Sequence, residues 1–484
     1  MPLPSYRVPT SYFYFCFMFG TDYSKLFNDL RLSRRGESLL NKLRQDPSTS
    51  IQSLASCRAE QKAFYRFLNS SKVKEELLSS EMGFRCGKAV RGKVVLCIQD
   101  TSEINLANHS NRLKASSGVG PIDAVKKGIG FKVHPCLVVD AYTCFPYGYA
   151  GIDLFNRTGV KLVTGYERSK MSVKDKESAK WLRGNQRAGN YLKDAASVII
   201  IQDREGDIFE QFTPGALADN SFLIVRSQYD RILTSEGRLL AAVAQEPCKG
   251  TYTIQVDRDS HKKTATREAQ IEVRYKKVQF KRPDRRPKDV PEISADVFVI
   301  EAREITENIE DPIHWRLTTT LPVNTVEDAR QVIEWYTCRW MIEEFFRVLK
   351  KECYDIESSE LEQGWAIRKL TLLIMDTILK LFQMHIAYSM EEGESPISSS
   401  IAFSDTELEC LTVVNARLQG KTQLLSNPKQ ISELRGATWV IARLGGWKGY
   451  SSQRKPGATT LILGLQKFYN IYLGFEIQKD VGTR

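Results

Sequence analysis

Val94-Val95-Leu96-Cys97-Ile98-Gln99-Asp100 and Ser197-Val198-Ile199-Ile200-Ile201-Gln202-Asp203 are short apolar runs that both close on Ile-Gln-Asp. A continuous β-branched run predicts a strand buried on both faces of a sheet. An Asp at the carboxyl end of such a strand sits where open α/β sheets place their ligands. A single Asp there is often just the cap of the next helix. Asp203 could be that, because Arg204-Glu205-Gly206-Asp207-Ile208-Phe209-Glu210 reads as helical.

A third carboxylate lies in Trp335-Tyr336-Thr337-Cys338-Arg339-Trp340-Met341-Ile342-Glu343-Glu344-Phe345-Phe346-Arg347-Val348-Leu349-Lys350. At helical pitch Tyr336, Arg339, Glu343, Arg347 and Lys350 fall within ~80° of one another. Ile342, Phe345, Phe346 and Leu349 fall on the opposite side, facing a core. Taken alone, this helix is read first as a solvated face, with Glu343 paired to Arg339 and Arg347 at four-residue spacing. Two matching strand ends beside a lone carboxylate among cations shift the balance towards a three-carboxylate metal site. Hard oxygen ligands select Mg²⁺ or Mn²⁺.

With these residues in view, the chain resembles bacterial insertion-sequence transposases of the DDE superfamily, in the cut-and-paste branch (insertion sequence family four) marked by a Tyr-Arg-Glu-Lys signature. Tyr336, Arg339, Glu343 and Lys350 match the signature at every spacing, and Asp100-Thr101-Ser102 and Asp203-Arg204-Glu205-Gly206-Asp207 match the two aspartate regions. Further matches are Ala63-Phe64-Tyr65-Arg66-Phe67, Lys176-Glu177-Ser178-Ala179-Lys180-Trp181, Phe222-Leu223-Ile224-Val225-Arg226-Ser227 and Ile441-Ala442-Arg443-Leu444-Gly445-Gly446. The resemblance runs from about Phe27 to about Phe468.

It implies an α/β fold: a ribonuclease-H-like catalytic core interrupted by a β-rich insertion, with helical N- and C-terminal domains. It also implies an Mg²⁺-dependent enzyme with Asp100, Asp203 and Glu343 as catalytic metal ligands. Tyr336, Arg339, Arg347, Lys350 and Arg226 are the expected DNA contacts. Trp315, twenty-one residues before Tyr336, takes the position of an aromatic that holds a flipped base. Without the resemblance it reads as a core aromatic of a strand. The implied reaction nicks a transposon end, forms and resolves a hairpin, and joins the 3′ ends to target DNA. The implied partners are double-stranded DNA and a second copy of the chain in a synaptic homodimer.

Composition agrees with a nucleic-acid partner. The 484 residues carry 69 Lys plus Arg against 58 Asp plus Glu, a net +11. That excess favours a polyanion, though a ribosomal or membrane-surface protein would share it. Ten cysteines without a Cys-x-x-Cys pair fit a reducing cytoplasm and argue against structural zinc. Cys97, Cys136 and Cys410 read as small core residues. No Walker loop occurs, so no nucleotide cofactor is expected.

The expected domains are a divergent extension at 1–26, a helical end-binding domain at 27–80, the catalytic domain at 81–390 with its insertion at about 229–311, and a helical dimerisation domain at 396–484. The apolar stretch Ser11–Gly20 is too short to span a bilayer; packing or disorder ranks above membrane targeting, and Met18 is a candidate start. Strands are expected at Val94–Gln99, Gly130–Asp140, Cys144–Asp153, Val198–Gln202 and Phe222–Val225. Helices are expected at Lys176–Tyr191, Asp207–Phe212 and Val326–Lys351. The basic, Pro-broken segment Lys281–Lys288 is either a phosphate contact or a mobile loop.

Three other functions fit parts of the pattern. An inactive or domesticated DNA-binding relative would not need all three carboxylates. A non-mobile ribonuclease-H-like nuclease would not need the Tyr-Arg-Glu-Lys spacing. A glycosidase with paired carboxylates is disfavoured by the basic helix and the net charge.

Overall fold

The computed structural model describes Tyr23 and residues 26–482, apart from 115, 123–127, 157–166, 168–169, 236, 257–265, 288–289, 308, 391–392, 421–425 and 451–452. The expected extension at 1–26, with its apolar stretch, therefore lies almost wholly outside the described residues, as does Lys288. The chain divides into two compact units, Asp22–Ile386 and Ala387–Arg484.

The first unit opens with helices α1 (Leu30–Gln45), α2 (Ile51–Leu54), α3 (Arg58–Asn69) and α4 (Glu75–Ala89). Asp29 caps α1 by accepting the Arg31 N–H at 2.9 Å, as a side-chain oxygen at that position should. Strands follow: β1 (Val94–Gln99), β2 (Ser102–Asn105), β3 (Gly120–Pro121), β4 (Ile129–Asp140) and β5 (Pro146–Phe155). Helix α5 (Ala179–Tyr191) leads to β6 (Ser197–Gln202) and β7 (Ser221–Arg226). Then come α6 (Leu239–Ala244), β8 (Gly250–Val256), β9 (Arg267–Val278), β10 (Val297–Glu304) and β11 (His314–Thr319). The unit closes with α7 (Val326–Thr337), α8 (Trp340–Arg347) and α9 (Gly364–Ser389).

All the strands join one sheet. β4 runs antiparallel to β1 and to β5, while β6 pairs parallel to β1 and β7 parallel to β6. The β1–β6 register sets Ile98 opposite Ile201, so the two Ile-Gln-Asp ends lie side by side. Strands β8 to β11, most of them from the expected insertion, continue this sheet beyond β7 rather than forming a sheet of their own, through the antiparallel pair β7–β11.

Both apolar runs are buried on both faces, which is why they alternate so little. Val95, Cys97, Val198 and Ile200 join Cys86, Val90, Ala188 and Leu192 in the core under α4 and α5. Leu96, Ile98, Ile199 and Ile201 are buried on the other face. There α7 to α9 make their contacts: Trp335 Nε1 donates to Ala141 O at 3.0 Å, Tyr149 Oη donates to Met375 O at 3.1 Å, and Phe345 stacks on Phe382. Helix α9 is apolar and long enough to cross a membrane, but 83% of its most apolar window is buried as a core helix.

The N-terminal helices are tied to α9 by charge. Asp376, 1% exposed, accepts from Arg44 at 3.1 Å and Arg85 at 2.6 Å. Arg368 is bidentate on Glu75, and Lys369 Nζ caps α3 by donating to the carbonyls of Leu68 and Ser70. A lysine at a helix carboxyl end meets both unpaired carbonyls and the helix dipole.

Three expected helices are corrected. The span Val326–Lys351 is not one helix: it breaks at Cys338–Arg339 and ends in a π-turn at Val348–Glu352. Tight i→i−3 bonds, Cys338 N–H to Trp335 O and Arg339 N–H to Tyr336 O, cause the break. The span Asp207–Phe212 is no α-helix: it holds one short 3₁₀ turn, Phe209–Phe212, and a second, Arg204–Gly206, precedes it. At Lys176 a 3₁₀ turn, Val173–Asp175, precedes α5.

The second unit carries α10 (Asp405–Leu418), α11 (Leu434–Leu444) and α12 (Ala458–Gly482). Ser404 and Glu407 form a reciprocal capping box at the start of α10. Leu411, Trp439, Val440 and Phe468 are buried in its interior.

Removing Asp376 would leave Arg44 and Arg85 without their shared carboxylate. Asp376→Ala should cost about 3–5 kcal/mol of unfolding free energy, read as a lowered urea midpoint. An unchanged midpoint would show that this cluster does not hold the N-terminal helices.

Candidate active site

Asp100 follows the last residue of β1, and Asp203 follows the last residue of β6. Neither side chain caps a helix. Asp203 makes no capping bond to the 3₁₀ turn behind it, and Asp100 is followed by a strand, with its Oδ1 accepting the Thr101 N–H at 2.7 Å. Side chains alternate along a strand, so both aspartates leave the face that packs on α5 and look towards α7 and α8.

Two side chains from the α7–α8 break reach them. Tyr336 Oη donates to Asp203 Oδ1 at 3.2 Å. Arg339 donates from Nη1 to Asp100 Oδ2 at 3.3 Å and from Nη2 to Glu343 Oε1 at 2.6 Å. One guanidinium thus bridges the first strand's Asp and the helix Glu. The break brings this about: the tightened turn at Cys338–Arg339 sets Arg339 at the head of α8, one helical turn before Glu343. The Cys338 sulfur in that turn lies 2.7 Å from Cys144 Sγ, a contact 194 residues apart in the chain.

The electrostatics confirm a shared negative field. Burial pushes the Asp100 carboxyl up to about 6; Thr101 and Arg339 oppose this, and the charges of Asp203 and Glu343 add to it. Tyr336 is pushed up to about 12 by burial and by the Asp203 carboxylate. Burial alone would lower the Arg339 pKa, but Tyr336, Glu343 and Asp203 raise it. Among the described residues no three His, Cys, Asp or Glu side chains are closed tightly enough to hold a metal ion as they stand. The donor chemistry nevertheless fits a hard divalent cation: three carboxylates, one of them desolvated and repelled by the other two, with Arg339 supplying a short-range positive charge bonded to both Asp100 and Glu343.

The other expected residues divide. Trp315 is half-buried on β11, with its ring edge-on to Tyr336 at 5.8 Å, so it belongs to the rim of this site and not to the core. Arg226 ends β7 and contributes its charge at Tyr336. Lys350 sits in the π-turn, 3.5 Å from Glu357, which also accepts the Asn105 N–H. π-turns inside helices recur at functional sites. Arg347 is not brought to the carboxylates; it pairs with Glu344 and Glu352. Asp207 of the Asp-Arg-Glu-Gly-Asp match serves structure: it accepts from Gln228 N, Tyr229 N and the buried Arg231 guanidinium.

Two residues not singled out in the sequence stand beside the site. Trp340, next to Arg339, is 61% exposed; its adjacency to the signature Arg was the available signal. His134 on β4 is fully buried, with Nδ1 2.9 Å from Thr101 Oγ1. Nothing in the chain spacing points to it, because the contact crosses between strands.

Burial pushes the His134 pKa down to about 3; Lys180, Arg183 and Arg187 act the same way, and Asp153 opposes them. Between pH 6.5 and 3 the unfolded chain binds a proton that the folded chain refuses. This contribution to stability is complete above pH 6.5 and is lost as the pH falls through that window. The wild type should lose about 2 kcal/mol between pH 6.5 and pH 5 from this group. Urea midpoints across that range should be flatter by this amount in His134→Gln, and parallel curves would contradict the assignment.

Two comparisons with known families bear on this geometry. The family described as Transposase DNA-binding matches residues 25–73, which include α1 to α3. The family described as Transposase DDE domain matches residues 217–375, from before β7 into α9. The second span contains Arg226, Trp315, Tyr336, Arg339, Glu343 and Lys350, while Asp100 and Asp203 come from neighbouring strands outside it. The two matches together support DNA as the partner and support a DDE transposase, an enzyme with a ribonuclease-H-like catalytic fold.

Proposed function

We propose that this protein is a cut-and-paste DNA transposase that nicks transposon ends, forms and resolves hairpins, and joins the freed ends to target DNA. The observation that carries this reading is the meeting of Asp100, Asp203 and Glu343, from two strand ends and a helix, around Arg339 and Tyr336.

Asp100, Asp203 and Glu343 would hold Mg²⁺ or Mn²⁺. A bound divalent pair supplies Lewis-acid stabilisation of phosphoryl oxygens and of the leaving 3′ oxygen. The chain's own cations then do the positioning. Arg339 exchanges its carboxylate partners for a phosphate of the end, and Tyr336, Lys350 and Arg226 fix the remaining phosphate oxygens. Positioning and charge neutralisation carry most of the catalysis in phosphoryl transfer. Hairpin formation bends the end sharply, so extruding a base relieves strain, and Trp315 at the rim stacks on that base. The DNA-binding match at 25–73 suits end recognition by α1 to α3. The second unit serves as the homodimer contact of the synaptic complex, and the protein works in the cytoplasm, where its DNA lies.

Asp100→Ala, Asp203→Ala and Glu343→Ala should each abolish nicking of end DNA in Mg²⁺ while leaving end binding intact; full nicking by any one of them refutes the assignment. Trp315→Ala should nick at a near-normal rate but form hairpins about 5- to 150-fold more slowly, the equivalent of ~1–3 kcal/mol of stacking. Equal losses at both steps with a lowered melting temperature would mean that Trp315 acts through packing.

A further inference from the structure

Both Ile-Gln-Asp ends carry a Gln one residue before the Asp. Gln99 and Gln202 are completely buried and point away from the aspartates, into the core under α5. There they close a ring of side-chain amides with Asn185 of α5 and Gln211 of the second 3₁₀ turn. Gln202 Nε2 donates to Gln99 Oε1 at 3.1 Å and to Asn185 Oδ1 at 2.9 Å. Gln99 Nε2 donates to Asn185 Oδ1 at 3.1 Å. Asn185 Nδ2 donates to Gln211 Oε1 at 2.6 Å, and Gln211 Nε2 returns the chain to Gln202 Oε1 at 2.8 Å. Gln211 also donates to the carbonyl of Gly206, three residues past Asp203. No nitrogen or oxygen of the four side chains is left without a partner.

Place matters more than number here. The backbone ladder between β1 and β6 has its last pair at Ile98 and Ile201. Gln99 and Gln202 are the next residues, so a side-chain bond takes over the cross-strand tie one residue before each Asp. Two glycines make room for it. A Cβ on Gly184 of α5 would lie 2.5 Å from Gln99 Oε1, and one on Gly206 would lie 2.4 Å from Gln202 Oε1. An apolar core would bury these positions at less desolvation cost. A fully satisfied polar network instead selects one arrangement, and its bonds strengthen in a low dielectric.

We propose that Gln99, Asn185, Gln202 and Gln211 are positioning residues. Their amide ring sets the separation and direction of Asp100 and Asp203 against the repulsion of the two carboxylates, and so sets the affinity of the site for a divalent cation. This rests on the proposed transposase function.

The test compares the full-length wild type with Gln99→Met/Gln202→Met, which removes the cross-strand amide bond and keeps an unbranched side chain of similar length. Four quantities are measured: Mn²⁺ binding by calorimetry without DNA, nicking at saturating end DNA, end affinity without metal, and the melting temperature. The expected result is at least tenfold weaker Mn²⁺ binding and at least tenfold slower nicking, with end affinity unchanged and nicking partly restored by raised Mn²⁺. Unchanged Mn²⁺ binding beside a lowered melting temperature overturns the proposal, since the ring would then only hold α5 to the sheet. A parallel fall in end affinity, Mn²⁺ binding and melting temperature overturns it as well. If the double variant does not fold, Gln211→Met carries the same expectations, because Gln211 reaches the strand ends through Gln202, Asn185 and Gly206. A wild type that neither binds Mn²⁺ nor nicks overturns the transposase reading itself; a wild type that does both, beside unaffected variants, overturns this inference alone.

Discussion

Asp100, Asp203 and Glu343 repel one another, and the fold gathers them at one end of a sheet regardless. Burial of Asp100 makes the repulsion stronger, because a desolvated carboxylate is screened less by water. The structure answers with one cation in contact: Arg339 bonds Asp100 and Glu343 at once, while Tyr336 satisfies Asp203. Such a cluster is costly in a protein that only needs to be stable. On the proposed function it is a site prepared for added positive charge, with an arginine holding the carboxylates until that charge arrives.

The constraint reaches back into the sheet. Each Ile-Gln-Asp end sends its Asp to one face and its Gln to the other, because side chains alternate along a strand. One face carries charge, and the opposite face carries a closed set of neutral amides under α5. Between them, β1 and β6 are packed on both sides with aliphatic side chains. A stiff apolar middle transmits position from one face to the other, since close-packed interiors deform little.

The same sheet explains how distant parts of the chain act together. β7 and β11 carry Arg226 and Trp315 to the rim of the site, and β8 to β10 continue the ladder outward. On the α9 side, Asp376, Arg368 and Lys369 bind the N-terminal helices by ion pairs and helix capping. The span that matches a DNA-binding family is therefore anchored to the helix that backs the candidate active site.

Local sequence pattern carried much of the scaffold. Two apolar runs ending in Asp could only be buried strands, and both are. Helical pitch put Tyr336, Arg339 and Glu343 on one face, and the apolar stripe Ile342, Phe345, Phe346 and Leu349 is buried as its period required. Tertiary structure decided what local pattern cannot encode. A tightened turn at Cys338–Arg339 broke the expected helix, because two i→i−3 bonds replaced the usual ladder, and this break placed Arg339 between Asp100 and Glu343. The π-turn at Val348–Glu352 and the acidic neighbours of Arg347 separated two cations that a regular helix would have kept on one face. His134 and the amide ring stayed hidden for a different reason. The bonds that tie them to the strand ends span 9 to 103 residues of chain, and only the folding of β4 and α5 onto β1 and β6 brings those polar atoms within hydrogen-bonding distance.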